Sequence, residues 1–241
     1  MIGSGTLLRA SRCRHRFWAG SYSQSSIASD RQWMGEHFDS PDSFAPRPEP
    51  RCATLIGPRF GMIIALAGRR VDAIAAKQLR FSPALESVNR VRHRIRAFLI
   101  SQGSVALVSS AACGADLLGQ QEAGALGLRR KIVLPFGVAK FRSSSVTDRP
   151  GDWGALYDAV VNDLKAGGDL IILRPKEDKS AYAEVNHRII AEAQALASQL
   201  QHPVTAVRIW EGQSRGEDDI TEEFGDCALK AGIPVMEILT I

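Results

Sequence analysis

The segment Ser109-Ser110-Ala111-Ala112-Cys113-Gly114-Ala115-Asp116 sets small residues between an apolar run, Val105 to Val108, and a helical pattern that begins near Leu117. Small residues at a strand-to-helix junction let a ligand approach the backbone. Free N–H groups at the helix start, together with the helix dipole, favour an anion there. A phosphate or a sugar is the chemistry such a turn could hold; the alternative is a tight turn that only lets helix pack on sheet. The candidate ligand residues here are Ser110, Cys113, Gly114 and Asp116. Asp116 falls in the first helical turn, where it would either cap the helix or meet a ribose hydroxyl. Cys113 is either a thiol activated by the helix start or a small apolar filler, with filler preferred, since no His or Asn lies nearby to complete a catalytic pair.

Two further segments could join that turn. Gly68-Arg69-Arg70-Val71-Asp72 follows an apolar run, Met62 to Ala67. Gly68 permits a sharp turn, Arg69 offers a planar fork of donors to a phosphate or carboxylate, and Asp72 could hold an arginine by a salt bridge. Glu211 to Thr221 is polar and acidic, carries Gly212 and Gly216, and lies between a strand pattern and a helix pattern. It is a second phosphate-loop candidate, with Thr221 at its end. Its acids either face a ribose or water, act as general acid or base, or sit at a solvated helix start.

Several classes are excluded. There is no Gly-x-x-x-x-Gly-Lys-Ser/Thr, no Gly-x-Gly-x-x-Gly after the first strand and no Gly-x-Ser-x-Gly, which argues against Walker-type ATPases, dinucleotide dehydrogenases and α/β-hydrolases. The net charge of +4 is mild and spread along the chain, so it suits an anionic small ligand better than nucleic acid. Four widely spaced cysteines form no Cys-x-x-Cys pair and no metal-ligand spacing with the five histidines, so no metal or cofactor is expected and a reduced, cytoplasmic compartment is the default. No run of about 18 apolar residues exists to cross a membrane. A homo-oligomer is compatible with the sequence.

The elements that would position these residues alternate regularly. Apolar residues make up 45% of the 241-residue chain, enough for a sizeable core. Residues 1–58 are set apart: Arg-, Ser- and Pro-rich, they are expected to be a leader outside the fold, as a disordered tail or an early-called start rather than a targeting segment. From residue 59 a single domain is expected. Strands are predicted at Met62–Ala67, Val105–Val108, Lys131–Leu134, Asp169–Leu173, Val204–Trp210 and Ile233–Ile238. Helices are predicted at Pro83–Gln102, Ala115–Leu126, Trp153–Ala166, Ala181–Leu200 and Ile220–Ala231, with residues 136–152 a polar loop. This is an α/β pattern: a Rossmann-like parallel sheet of about six strands with helices on both faces. In such a sheet the three candidate segments should meet at the carboxyl ends of the strands.

Eight segments in order resemble the sensor-type members of the SLOG superfamily, the Rossmann-like group that unites the Smf DNA-processing proteins with the Lonely-guy phosphoribohydrolases. They are Gly68 to Asp72, Arg80-Phe81-Ser82-Pro83, Ser110 to Leu118, Val133-Leu134-Pro135-Phe136, Phe141 with Ser145-Val146, Trp153, Tyr182 with Asn186, and Trp210-Glu211-Gly212. The resemblance implies a Rossmann-like fold and a nucleotide-derived ligand. On it, Ser110 to Asp116 would cradle the phosphate or ribose, Arg69 would neutralise charge, and Tyr182 and Asn186 would reach the base or brace the loops. The chain departs from the family in carrying Arg69 for a His and Gly216 to Thr221 for a Gly-Gly-Thr. It also lacks the hydrolase branch's Pro-Gly-Gly-x-Gly-Thr-x-x-Glu loop. The leading expectation is therefore binding or sensing of a nucleotide or nucleotide-derived small molecule. The alternatives are an N-glycosidase acting on nucleoside 5'-monophosphates, for which Glu211, Asp218 and Glu222 are the candidate carboxylates, and a single-stranded DNA-binding module.

Overall fold

Successive side chains of a strand point to opposite faces, so a strand buried on both faces is apolar throughout. The first strand, β1 (Met62–Gly68), shows this: Ile64 and Leu66 enter one apolar cluster, Ile63 and Ala65 another. A computed structural model of the chain describes residues 61–173 and 180–241. The elements after β1 are α1 (Leu85–Ser101), β2 (Ser104–Ser109), α2 (Ala115–Ala125), β3 (Arg129–Leu134), α3 (Val138–Ser145), α4 (Trp153–Gly167), β4 (Leu170–Ile172), α5 (Ser180–Leu200), β5 (Val204–Trp210), α6 (Ile220–Lys230) and β6 (Val235–Leu239).

The six strands form one all-parallel sheet in the order β4-β3-β2-β1-β5-β6. Helices α1, α2 and α4 pack with the Ile64 and Leu66 face; α5 and α6 cover the Ile63 and Ala65 face. The fold is α/β and Rossmann-like. The chain builds outward from β1 to β4, returns through α5, and resumes on the other side of β1. Strand order therefore reverses between β1 and β5, and the crevice at their carboxyl ends is where ligands of such sheets bind.

The helices follow their apolar spacing. Val91, Ile95 and Leu99 are buried on α1, and Val185, Ile189, Ala193 and Leu196 on α5. Leu85, the first residue of α1, is 74% exposed. The larger correction is α3. Residues 136–152, expected as a polar loop, contain a helix of 8 residues that buries Phe141 and Ser145. Two turns offer too few apolar positions to register as a period, and Ser143 to Ser145 reads as loop composition. Strand β3 starts at Arg129, two residues before the predicted start, because Arg129 and Arg130 still pair with Ala106 and Leu107 of β2. The predicted leader at 1–58 lies outside the described residues. Among the described residues no helix is long and apolar enough to cross a membrane.

Candidate functional site

Gly68 closes β1 where three elements crowd together. A Cβ there would stand 2.4 Å from the Ala115 Cβ and 2.8 Å from the Ile209 carbonyl oxygen, so only glycine allows this approach. The chain then turns Arg69 inward. Its side chain is buried: Nε donates to Glu211 Oε2 at 2.6 Å, Nη1 to Asp219 Oδ1 at 2.5 Å, and Nη2 to Asp219 Oδ2 at 2.7 Å and to the Gln213 carbonyl at 3.0 Å. Burial works against the guanidinium charge, but Asp219 and Glu211 outweigh it and raise the pKa above the ordinary arginine value. Arg69 thus directs its fork to two carboxylates of its own chain.

Asp219 has a second task. As N-cap of α6 its side chain accepts from Thr221 N at 3.0 Å and Glu222 N at 3.3 Å. Burial pushes its carboxyl up, yet Arg69 and the backbone N–H groups of Arg215 and Glu222 hold it well below the usual carboxylate range. Arg80 Nε adds a contact of 2.9 Å to Glu211, and Arg215 Nε lies 3.7 Å from Asp219. Three arginines and two acids therefore bind the β1–α1 loop to the β5–α6 loop. On the other side Arg70 and Arg149 share Asp148, at 2.8 and 3.4 Å.

The Ser109–Asp116 turn meets the Gly68–Asp72 segment, but in a different attitude from the one its sequence suggests. Gly114 has φ +98°, and a Cβ on it would lie 2.7 Å from the Arg69 carbonyl oxygen and 2.9 Å from Val71 N. The β1–α1 loop crosses directly over the start of α2. Ala115 N donates to the Arg69 carbonyl at 3.1 Å and Cys113 N to the Ser145 carbonyl at 3.0 Å, so protein carbonyls take two of the turn's donors. The Cys113 thiol is fully buried, and burial pushes its pKa up to about 12, which keeps it protonated as a filler. Changing Gly114 to alanine is expected to cost about 1–3 kcal/mol or more, from overpacking and from a positive φ that alanine avoids. A fall in the urea midpoint at unchanged slope is the measurement.

Between these loops and α5 lies a hollow of about 730 Å³. Of the sequence-predicted residues, Gly68, Arg69, Asp72, Ser110, Asp116, Tyr182, Asn186 and Thr221 line it; Cys113, Gly114, Gly212 and Gly216 do not. Among the candidate carboxylates, none of Glu211, Asp218 and Glu222 lines it. Glu211 faces Arg69 and Arg80, and Glu222 accepts from the Ser214 hydroxyl. The carboxylates in the wall are Asp72, which accepts from Arg80 N at 2.7 Å and Phe81 N at 2.8 Å, and Asp116. Asp116 accepts from Gly68 N at 3.2 Å and from Ala112 N, yet burial dominates and pushes its pKa up to about 7.

The α5 wall is of another kind. Tyr182, Val185 and Ile189 are apolar or aromatic; the Tyr182 hydroxyl is 3.2 Å from Ser145 Oγ and its ring meets Phe136 edge-on. Asn186 is buried and donates through Nδ2 to the Ile220 carbonyl at 2.9 Å. Lys77, Arg80, Arg149 and Arg215 also line the hollow. Arg80 and Arg215 fall within the Arg80–Pro83 and Glu211–Thr221 segments without being among the candidate ligand residues; Lys77 and Arg149 lie in loops outside every motif, so only proximity identifies them.

Fold and site together define a Rossmann-like α/β protein with a mixed cationic and apolar hollow at the reversal of strand order. No family model matches the chain, and no curated protein matches it. Among solved structures, the X-ray structure of DNA processing protein A (DprA) from Streptococcus pneumoniae is similar over 74% of this chain, at 12% identity and a TM-score of 0.34. The similarity spans 59% of that chain's length. This is a coarse relationship that bears on neither ligand nor activity.

Proposed function

We propose that this protein binds a nucleotide or a nucleotide-derived small molecule in the hollow at the carboxyl ends of β1 and β5. The observation that carries this is the pairing of unequal walls. Six cations (Arg69, Arg70, Lys77, Arg80, Arg149 and Arg215) line the hollow against two carboxylates in its wall, Asp72 and Asp116, and three behind it, Glu211, Asp219 and Asp148, so one side of the hollow is predominantly cationic. An anion at that rim gains charge-assisted hydrogen bonds. Opposite, Tyr182, Val185 and Ile189 suit a flat heterocycle, while Asp116 and Ser110 offer polar partners to a sugar hydroxyl.

Isothermal titration and thermal-shift measurements against nucleoside mono- and diphosphates test this. A ligand that binds only the folded chain raises its midpoint. Arg149→Ala is expected to weaken binding by about tenfold or more, the 1.5–3 kcal/mol typical of a hydrogen bond to a charged group. No shift with any nucleotide at millimolar concentration overturns the proposal.

A second reading, cleavage of the N-glycosidic bond of a nucleoside 5'-monophosphate, is favoured by one observation: a carboxyl in the hollow, Asp116, poised near pH 7 as general acid–base catalysis requires. It predicts release of free base that Asp116→Asn abolishes while binding remains.

A further inference from the structure

Helices α5 and α6 pack against each other over the Ile63 and Ala65 face of the sheet, and their contact holds a donor set separate from the hollow. His187 of α5 and Glu223 and Cys227 of α6 each offer one ligand atom, and the three atoms lie within 4.8 Å of one another. Glu223 and Cys227 are four residues apart on one helix and so share a face. Cys227 Sγ is 3.8 Å from His187 Nε2. A tetrahedral zinc with Zn–S of about 2.3 Å and Zn–N of about 2.0–2.1 Å would set these atoms roughly 3.6 Å apart. The Cys227–His187 pair thus stands within a few tenths of an ångström of coordination distance before any ion arrives, and the Glu223 carboxylate, within 4.8 Å of both, closes the remaining gap by side-chain rotation.

We propose that His187, Glu223 and Cys227 form a three-ligand site for a divalent cation of the zinc class, with its fourth position open to water. Imidazole, thiolate and carboxylate together select zinc or its neighbours over magnesium and calcium, which take oxygen donors. The site is reached from solvent at His187, which is exposed and lines a shallow hollow with Glu184, the acid three residues before it on α5; Glu223 is half-buried and Cys227 is buried. Binding exchanges one proton for the ion: the Cys227 S–H bond breaks, the sulfur lone pair goes to the metal, and the proton passes to buffer. No electron changes hands. An ion here would pin α5, which carries Tyr182, Val185 and Asn186, to α6, which begins with Ile220 and Thr221, all of them walls of the nucleotide hollow. The cation site itself does not depend on what that hollow binds.

Cobalt(II), the spectroscopic substitute for zinc, tests this on the purified full chain under reducing conditions. One equivalent is expected to give a sulfur-to-cobalt charge-transfer band and visible bands of tetrahedral intensity, both displaced by zinc. Cys227→Ser abolishes the charge-transfer band, and His187→Ala weakens cobalt binding by more than the ~10–100-fold that loss of an outer-shell partner costs. The Cys13→Ser/Cys52→Ser variant keeps the band. Because a serine at a buried position could disturb α6, a second measurement uses the unmodified chain: zinc is expected to slow alkylation of Cys227, read by mass spectrometry at that peptide. Absence of the band, its persistence in Cys227→Ser, or an alkylation rate indifferent to zinc overturns the proposal.

Discussion

Arg69→Ala is expected to lose about 3–5 kcal/mol of unfolding free energy at pH 7, the penalty for removing one partner of a buried ion pair and leaving the other charged. Glu211 and Asp219 are both buried, and Arg69 is the cation that hydrogen-bonds to both. Urea denaturation followed by circular dichroism measures the loss. Arg69→Lys recovers only part of it, because a single ammonium cannot replace a planar fork that serves two carboxylates at once.

The pH dependence identifies the cause. Asp219 is held below the ordinary carboxylate range. Its contribution is therefore present above the unfolded value of about 3.9 and lost as pH falls further toward the folded value. In Arg69→Ala that contribution is gone already, so the two proteins converge in acid. Adding Glu211→Gln and Asp219→Asn to Arg69→Ala recovers stability at pH 7, since no unpaired charge is left buried. A single Arg69→Ala within about 1 kcal/mol of the parent, the range of an ordinary surface change, would show that the clamp carries no weight.

Asp116→Asn is expected to do the reverse at alkaline pH and make the protein more stable. The unfolded carboxyl loses its proton near pH 3.9, the folded one only near 7. Between those values the native state binds more protons, so stability falls as pH rises from about 4 to about 7 and is level above. Three pKa units at about 1.36 kcal/mol each set an upper value of roughly 4 kcal/mol. The asparagine oxygen can still accept from Gly68 N and Ala112 N, so the turn keeps its bonds. The variant's advantage should appear across that window and plateau above pH 7.

On the proposed function, the same group is expected to tune ligand affinity in the hollow. An anionic ligand near Asp116 favours the protonated carboxyl, so nucleotide affinity is expected to weaken between pH 6 and 8 in the parent relative to Asp116→Asn. The comparison removes the ligand's own phosphate titration, which both proteins share. Matching pH profiles for the two proteins, in stability and in affinity, would place the Asp116 ionisation outside this range.

The six strands and five of the six described helices are readable from periodicity because burial on a sheet demands it: two faces for a strand, one stripe for a helix. The convergence of Gly68 to Asp72, Ser109 to Asp116 and Glu211 to Thr221 at one sheet edge also follows from alternation of strand and helix alone. The short α3 does not, since a helix of 8 residues with Phe141 and Ser145 inward leaves almost no period to detect.

Which atoms face the hollow was beyond the sequence. The motif types at the turn suit a phosphate cradle, yet the Arg69 carbonyl covers the start of α2 and the Arg69 side chain meets its own carboxylates. Arg80, Arg149 and Arg215 reach the same rim from three separate loops, and His187 meets Cys227 across 40 residues of chain. Apolar burial is a property each residue type carries with it, so the local pattern of residues suffices to specify elements, layers and the sheet edge where loops gather. Ion pairing and hydrogen bonding depend on ångström-scale separation and direction between groups remote in sequence, and those come into being only when the loops close on one another in three dimensions.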